Sequence, residues 1–323
     1  MHIIRALGLI LLTISAAVES CGPVGAQQID SIKVGTLTLP VFAPVITNVM
    51  KAREFDRKHG LDVQLVRYPA ISGYYAGFAT GEVDALLGGP TYFQKLRLEG
   101  VPLKIFATAV PLSDLAIVTR YAQITTFADL KGKKLAADMG SGQYQILSIY
   151  ARSAGIELGK DIEVINANFA ASRAQLAAER VDAAMVIEPI VTAMMNEDPR
   201  LHIIFNADEA WKSMTGSAGW ELVFAAREEK IKTVPQALKK FVAALKDTAE
   251  YMKANPDETD KIVTETVKLP AGIMKAVISS GRAAIAPSTI GPAESKSLLD
   301  MMKRAVDAGF HPKMPDEGIL YVD

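Results

Sequence analysis

The feature that most constrains this chain is a pattern written twice, about 100 residues apart. "SIKVGTL" at 31–37 and "GKKLAAD" at 132–138 both read as strands. A helical stripe follows each: Val45, Val49 and Ala52 in the first copy, Ile146, Ile149, Tyr150 and Ala154 in the second. Alternating strands come next, "LDVQLVRY" at 61–68 and "DIEVINA" at 161–167. A short helix then leads to Val83-Asp84-Ala85 in one copy and Val181-Asp182-Ala183 in the other, with Pro90 matching Pro189. Elements that recur in register predict two β-α-β-α-β units, each a sheet with helices on its faces.

Two apolar segments lie outside the copies. "LAIVT" at 115–119 leaves the first and "WELVFAA" at 220–226 follows the second. They are expected to be two strands crossing between lobes, a two-strand hinge. Beyond 226 the pattern turns helical. "PQALKKFVAALKDTAEYMKAN" starts at Pro235, stops at Asn255-Pro256, and carries a stripe of Leu238, Phe241, Val242, Leu245, Ala249 and Met252. A further helix from Pro292 to Ala308 is closed by Gly309. The expected organisation is an α/β chain with lobe one at 31–116 plus 224–323, lobe two at 117–223, and the C-terminal helices lying on lobe one.

With 35 basic and 36 acidic residues the net charge is −1, which offers neither a basic stripe for nucleic acid nor a charged tail. Arg5 and the apolar run "ALGLILLTISAA" at 6–17 have the form of a secretory signal peptide. The run is too short for a bilayer span, which takes roughly 20 apolar residues. Cleavage is expected after Ala26, giving a signal peptide at 1–26 and a soluble, exported mature chain. Cys21 is the only cysteine. As a lipid acceptor it is disfavoured by Glu19, and cleavage after Ala26 removes it, excluding disulfides and thiol chemistry.

The stretch "DMGSGQY" at 138–144 sets two glycines and a serine between a strand and a helix. Such a helix start leaves backbone N–H groups unpaired and carries partial positive charge, so it suits a carboxylate, sulfonate or phosphate. Ser141, Gln143 and Tyr144 add side-chain donors, and Gly142 allows close approach; equally, Ser141 is a simple N-cap. No Gly-Lys-Ser/Thr follows, the third glycine of a dinucleotide fingerprint is Gln145, and no G-x-S-x-G occurs, so phosphate-loop, dinucleotide and serine-hydrolase readings fall away. His59, His202 and His311 are far apart in sequence and lack metal-ligand spacing, so no metal is expected. Arg67, Arg173 and Arg180 read equally as solvated faces or as anion partners.

The phrases "KVGTLTLPVFAPVITNVMKAREFDRKHGLDVQLV", "GYYAGFATGEVDALLGGP", "FADLKGKKLAADMGSGQY" and "RVDAAMVIEP", in this order over residues 31 to 270, resemble the nitrate/sulfonate/taurine-type solute-binding proteins of ABC importers. The resemblance implies the type II periplasmic-binding-protein fold, a periplasmic location, no cofactor, no catalytic residue, and function as a monomer. The implied partners are a small-molecule ligand, favoured as a sulfonate or carboxylate, and an inner-membrane permease. A binding protein serving a receptor or sensor kinase would use the same physics. The thiamine-pyrimidine synthase of yeast type shares the fold, but its cysteine run is absent.

Ligands of open α/β sheets sit beyond the carboxyl ends of the strands. The residues expected in the cleft are Thr38, Phe42, Ser72, Gly73, Tyr74, Thr91 and Tyr92 from lobe one, and Met139, Ser141, Gly142, Gln143 and Tyr144 from lobe two. Packing competes with ligand contact for each aromatic. Glu188, in "VIEPI", is read either as an acceptor for a ligand amine or as a contact to the facing lobe; Trp220 either walls the cleft or packs at the hinge.

Overall fold

The computed structural model describes residues 29–282 and 284–322. The expected signal peptide at 1–26 and Cys21 lie outside the described residues.

The first unit runs β1 (Asp30–Leu37), α1 (Phe42–Ala52), α2 (Phe55–Lys58), β2 (Leu61–Tyr68), α3 (Ile71–Thr80), β3 (Ala85–Gly88), α4 (Pro90–Leu98) and β4 (Leu103–Pro111). A 3-10 turn at Leu112–Asp114 leads to β5 (Leu115–Thr119). The second unit follows as β6 (Lys134–Ala137), α5 (Gly142–Ser153), β7 (Glu163–Asn166), α6 (Phe169–Ala177), β8 (Ala183–Ile187), α7 (Ile190–Glu197), β9 (His202–Asn206) and α8 (Ala207–Thr215). The chain then returns through β10 (Trp220–Arg227) to α9 (Glu228–Thr233), α10 (Pro235–Ala254), α11 (Pro256–Val267), α12 (Ile273–Ser280), β11 (Ser288–Thr289) and α13 (Pro292–Asp307).

Two sheets result. The larger has the order β11-β4-β10-β3-β1-β2 and the smaller β7-β6-β8-β5-β9. Within each, the repeated unit supplies three parallel strands, β2-β1-β3 and β7-β6-β8. An antiparallel strand from the crossing segments extends each set: β10 beside β3, β5 beside β8. The recurring Val-Asp-Ala has one physical meaning in both. Asp84 accepts from the Lys33 N–H and Asp182 from the Lys134 N–H, each at 2.8 Å, so the equivalent carboxylate holds the middle strand of each parallel set.

The two segments predicted to cross are strands, and each is seated in a single sheet. Trp220 pairs with Pro111 at the edge of one ladder, and Leu115 pairs with Ile187 at the edge of the other. The chain therefore changes sheets where pairing stops, at Leu112–Asp114 and between Thr215 and Trp220. The boundaries expected at 116/117 and 223/224 cut through β5 and β10. Gly219 makes the close crossing feasible: a Cβ there would lie 2.3 Å from Leu112 Cδ1 and 2.8 Å from Trp211 Cδ1.

The C-terminal helices cover the first unit. The α10 stripe of Leu238, Phe241, Val242, Leu245 and Met252 is buried in one cluster with Val45, Ile46 and Val49 of α1. On the other face, Leu298, Met301 and Met302 of α13 pack with Phe93 of α4 and reach Leu147 of α5 in the second unit. Among the described residues no helix is long and apolar enough to cross a membrane.

Candidate functional site

A cavity of about 740 Å³ lies between the two sheets. Its walls are the loops that follow β1, β2 and β3 in the first unit and β6, β7 and β8 in the second, together with the two crossings. That is the carboxyl-end position expected for open parallel sheets, and the volume suits a small organic molecule.

Of the residues expected in the cleft, Phe42, Ser72, Tyr74, Thr91, Tyr92, Ser141, Gly142, Gln143 and Trp220 line this cavity. Thr38, Gly73, Met139, Tyr144 and Glu188 do not line it. Thr38 extends β1 by pairing its N–H with Tyr68 O, and its side chain faces solvent; Gly73 is exposed on α3. Met139 is exposed at the turn. Tyr144, in the first turn of α5, is buried in the core shared by the two units.

Two of the lining groups have other work. The Ser141 hydroxyl donates to Asp138 O at 2.7 Å and accepts from Tyr144 N–H at 3.1 Å, so it is an N-cap with both roles used. Tyr74 is buried; its hydroxyl donates to Leu87 O and accepts from Leu87 N–H, pinning α3 to β3. The Gln143 side-chain amide donates to Glu221 Oε1 across the cleft. Gly142 faces Thr91 so closely that an added Cβ would sit 3.4 Å from Thr91 Oγ1.

Glu188 meets the facing lobe, through a residue the sequence did not single out. Its Oε1 accepts from Arg282 Nε at 2.8 Å and from Thr192 Oγ1 at 2.9 Å, and Arg282 also donates to Thr192 Oγ1 at 2.9 Å. Glu188 is 1% exposed. This tie joins α7 of the second unit to the end of α12, which belongs to the first. A second tie runs from Arg152 on α5 to Ala308 O beyond α13, at 2.6 Å.

The sequence reading missed the floor of the cavity. Asp114, the last residue of the first crossing, and Glu221, the second residue of β10, both line it at 1% and 5% exposure. The two carboxyl groups are hydrogen-bonded to each other, and among the described residues neither Asp114 oxygen nor Glu221 Oε2 meets any other donor. Burial, then the charge of Glu221 beside it and that of Glu188, hold the Asp114 carboxyl well above the usual carboxylate range. Burial raises Glu221 as well. A proton on Asp114 turned toward Glu221 relieves their repulsion. The available signal was an acid set inside an apolar strand pattern, "WELVF", immediately after a tryptophan.

Aromatic walls complete the site. Tyr75, also missed, stacks on Tyr92 with ring centroids 3.8 Å apart and planes at 22°. Phe169 lies across from them, and Trp220, 9% exposed, brings an indole Nε1 without an acceptor among the described residues. Asp138 adds a third carboxylate. Among the described residues no lysine, arginine or histidine lines the cavity. The α5 helix end, where a sulfonate or carboxylate was expected, is capped by Ser141, and Asp114, Asp138 and Glu221 line the same cavity. Among the described residues no group of three His, Cys, Asp or Glu side chains is arranged to hold a metal.

A family model described as NMT1/THI5 like matches residues 40–259. A protein named as a binding protein in Brucella abortus is 24% identical over 238 residues, 73% of this chain and 72% of the relative. The periplasmic aliphatic sulphonate binding protein SsuA from Escherichia coli superposes with a TM-score of 0.77 at 16% identity, covering 90% of this chain and 92% of its own. The periplasmic nitrate-binding protein NrtA from Synechocystis PCC 6803 gives 0.68 at 16% identity, over 88% and 83%. The family match runs from the loop before α1 into α11, across both units and the cavity between them; the chain belongs to the NMT1/THI5-like family and has the fold of the nitrate- and sulfonate-type ABC solute-binding proteins.

Proposed function

We propose that this protein is an extracytoplasmic solute-binding protein that captures a small organic molecule between its two units and presents it to the permease of an ABC importer, with no covalent chemistry. The observation that carries the reading is the cavity itself. It draws on strand-end loops of both units, so only the approached arrangement of the units can satisfy a ligand on all sides. A molecule that contacts both walls then biases the open–closed equilibrium toward closure by its differential affinity for the closed form.

The contacts divide by chemistry. Tyr75, Tyr92, Phe169 and Trp220 offer flat apolar area for an unsaturated or ring-bearing body. Thr91 and Ser72 supply hydroxyls, and the first turns of α1, α3 and α4 supply backbone N–H groups. Ser141 and Tyr74 shape the walls, while Gln143 moves with the cleft because its partner Glu221 sits on the other side. The export reading, with the chain acting as a monomer, completes the proposal.

The test is a thermal-shift screen of small organic molecules on the mature chain, followed by solution scattering with each hit. The expected result is a raised Tm with a smaller radius of gyration in the bound state. A hit that binds without compaction, and whose affinity survives Thr91→Leu and Trp220→Ala, would remove the cavity from the mechanism.

A further inference from the structure

The contacts that hold the two units together are of two kinds. Between α5 and α13 the contact is apolar and continuous: Tyr144 and Leu147 of the second unit share one core cluster with Leu298 and Met301 of α13. Between α7 and α12 it is thin. Among the described residues, Ala193 is the only second-unit side chain buried in the cluster that holds Ile273, Met274 and Val277 of α12. What joins the units there is a charge. Arg282, just beyond α12, donates from Nε to Glu188 Oε1 at 2.8 Å and from Nη2 to Thr192 Oγ1 at 2.9 Å. The receiving half is assembled within the second unit: Glu188 accepts from the Thr192 N–H at 3.0 Å and from the Thr192 hydroxyl at 2.9 Å. The Glu188 N–H donates to Asp114 O at 3.0 Å, which sets this half against the first crossing. The Glu188 side chain is 1% exposed and that of Arg282 28%. A preformed, buried acceptor covered by a partly exposed cation from the other unit is a socket with a removable plug.

We infer that Arg282 and the Glu188–Thr192 pair form a lock on the hinge, made when the units approach and broken when they part, which sets how much of the ligand-free protein stands closed. The inference rests on the solute-binding reading, in which the units move about the crossings. The tie is seen in the approached arrangement, where Gln143 reaches Glu221 and a Cβ added to Gly142 would sit 3.4 Å from Thr91 Oγ1. None of Arg282, Glu188 and Thr192 lines the cavity, so they are positioning residues that act through the equilibrium of the units and touch no solute. A hydrogen bond is short-ranged and directional, so a shift of α12 against α7 by a few ångströms breaks the tie. The apolar contact between α5 and α13 is non-directional and tolerates small shifts. Parting also returns Glu188 and Arg282 to water, which offsets most of the attraction lost, so the lock is reversible. Apparent affinity scales with the closed fraction, and the lock thereby tunes binding of whatever the cavity takes.

The experiment measures the distance between the units with no ligand present. Spin labels at Arg180→Cys in the second unit and Lys246→Cys on α10, both exposed positions, report that distance in the full mature chain by pulsed electron resonance. Arg282→Ala should raise the ratio of long to short distances by about threefold or more, with a larger radius of gyration in scattering. Arg282→Lys, which keeps the charge and loses the second donor, should raise it less. Salt taken from about 0.05 to about 0.5 M should move the wild type the same way and leave Arg282→Ala unmoved. A pair that only stabilised the fold would lower the Tm of Arg282→Ala and leave the distance ratio as in the wild type; that result overturns the lock. Where Arg282→Ala does not fold, Arg282→Lys and the wild-type salt series decide, and an unchanged ratio in both overturns it. Failure of the inference and failure of the solute-binding reading look different. Two distances in a fixed ratio discard the lock alone; a single distance in every variant and at every salt concentration discards the moving cleft with it.

Discussion

The first unit, β1-α1-β2-α3-β3-α4, and the second, β6-α5-β7-α6-β8-α7, share a topology and finish their helix ends in opposite ways. In the second unit each helix facing the cavity has one first-turn N–H bonded to a side chain, from the N-cap residue in α5 and α6 and from the residue before it in α7. Ser141 accepts from Tyr144 N–H, Asn168 from Ala171 N–H, and Glu188 from Thr192 N–H. In the first, the residues before α1, α3 and α4 are Val41, Ala70 and Gly89, and none gives a side-chain cap. The same fold thus carries one wall whose helix starts each use a side-chain acceptor and one whose helix starts have none. A glycine-rich turn drew attention to the second wall because it resembles an anion cradle in sequence. The structure gives the available donors to the first, where the sequence is bland.

The largest effect is expected from the acids between the two walls, and it is read by pH. Asp114 and Glu221 are both raised, so over the range above ordinary carboxylate values the folded state binds more protons than the unfolded one. Stability of the ligand-free protein should therefore fall as pH rises through that range, the reverse of a salt-bridged acid. Besides each other, Glu188 faces Asp114, while Gln143 and Tyr75 face Glu221. Asp114→Asn should flatten the slope and raise the Tm at neutral pH; an unchanged slope in denaturation curves taken from acid to neutral pH would mean the pair does not titrate as described.

The tie between the units ranks next. Arg282→Ala leaves the buried Glu188 without its cation and should cost about 3 kcal/mol in a urea titration. The loss should be smaller in Arg282→Ala/Glu188→Gln, where the stranded charge is gone as well.

Equivalent strand positions then sharpen the comparison. Gly35 of β1 corresponds to Ala136 of β6, since Val34 pairs with Ala85 and Leu135 with Ala183. A Cβ at Gly35 would lie 2.6 Å from Leu86 Cδ1 and 3.3 Å from Tyr74. Gly35→Ala should destabilise by about 1–3 kcal/mol through overpacking, and Ala136→Gly by about 1 kcal/mol through lost packing and chain entropy. Equal and negligible costs would show that the two sheets are not packed differently.

The smallest effects test the caps themselves. Ser141→Ala and Asn168→Ala should each lower stability by about 1 kcal/mol and leave ligand affinity within threefold. Ala70→Ser, which offers a cap to the open wall, should raise stability by about 0.5 kcal/mol while weakening the ligand. If Ser141→Ala abolishes binding instead, the assignment of the two walls is reversed.

Much of the fold was legible because repetition and period carry it. The Val-Asp-Ala pair marked equivalent strands before any contact was known, and the α10 stripe named the helix that covers the first unit. The site was legible as a place and less so as a set of residues. Loops after strands pointed to Thr91, Tyr92 and Gly142, all of which line the cavity. They also pointed to Thr38 and Met139, which face solvent, because a loop's position in sequence does not say where its side chains turn.

The sequence alone therefore determined two β-α-β-α-β units, the strands at their crossings and the general position of the cleft, because hydrophobic period and turn chemistry act locally. Only the tertiary structure decided what the cleft is made of. Asp114 and Glu221 lie more than 100 residues apart in the chain and become a pair only where two crossings meet. Burial, neighbouring charge and unpaired oxygens are properties of that meeting, and none of them is written in either segment by itself.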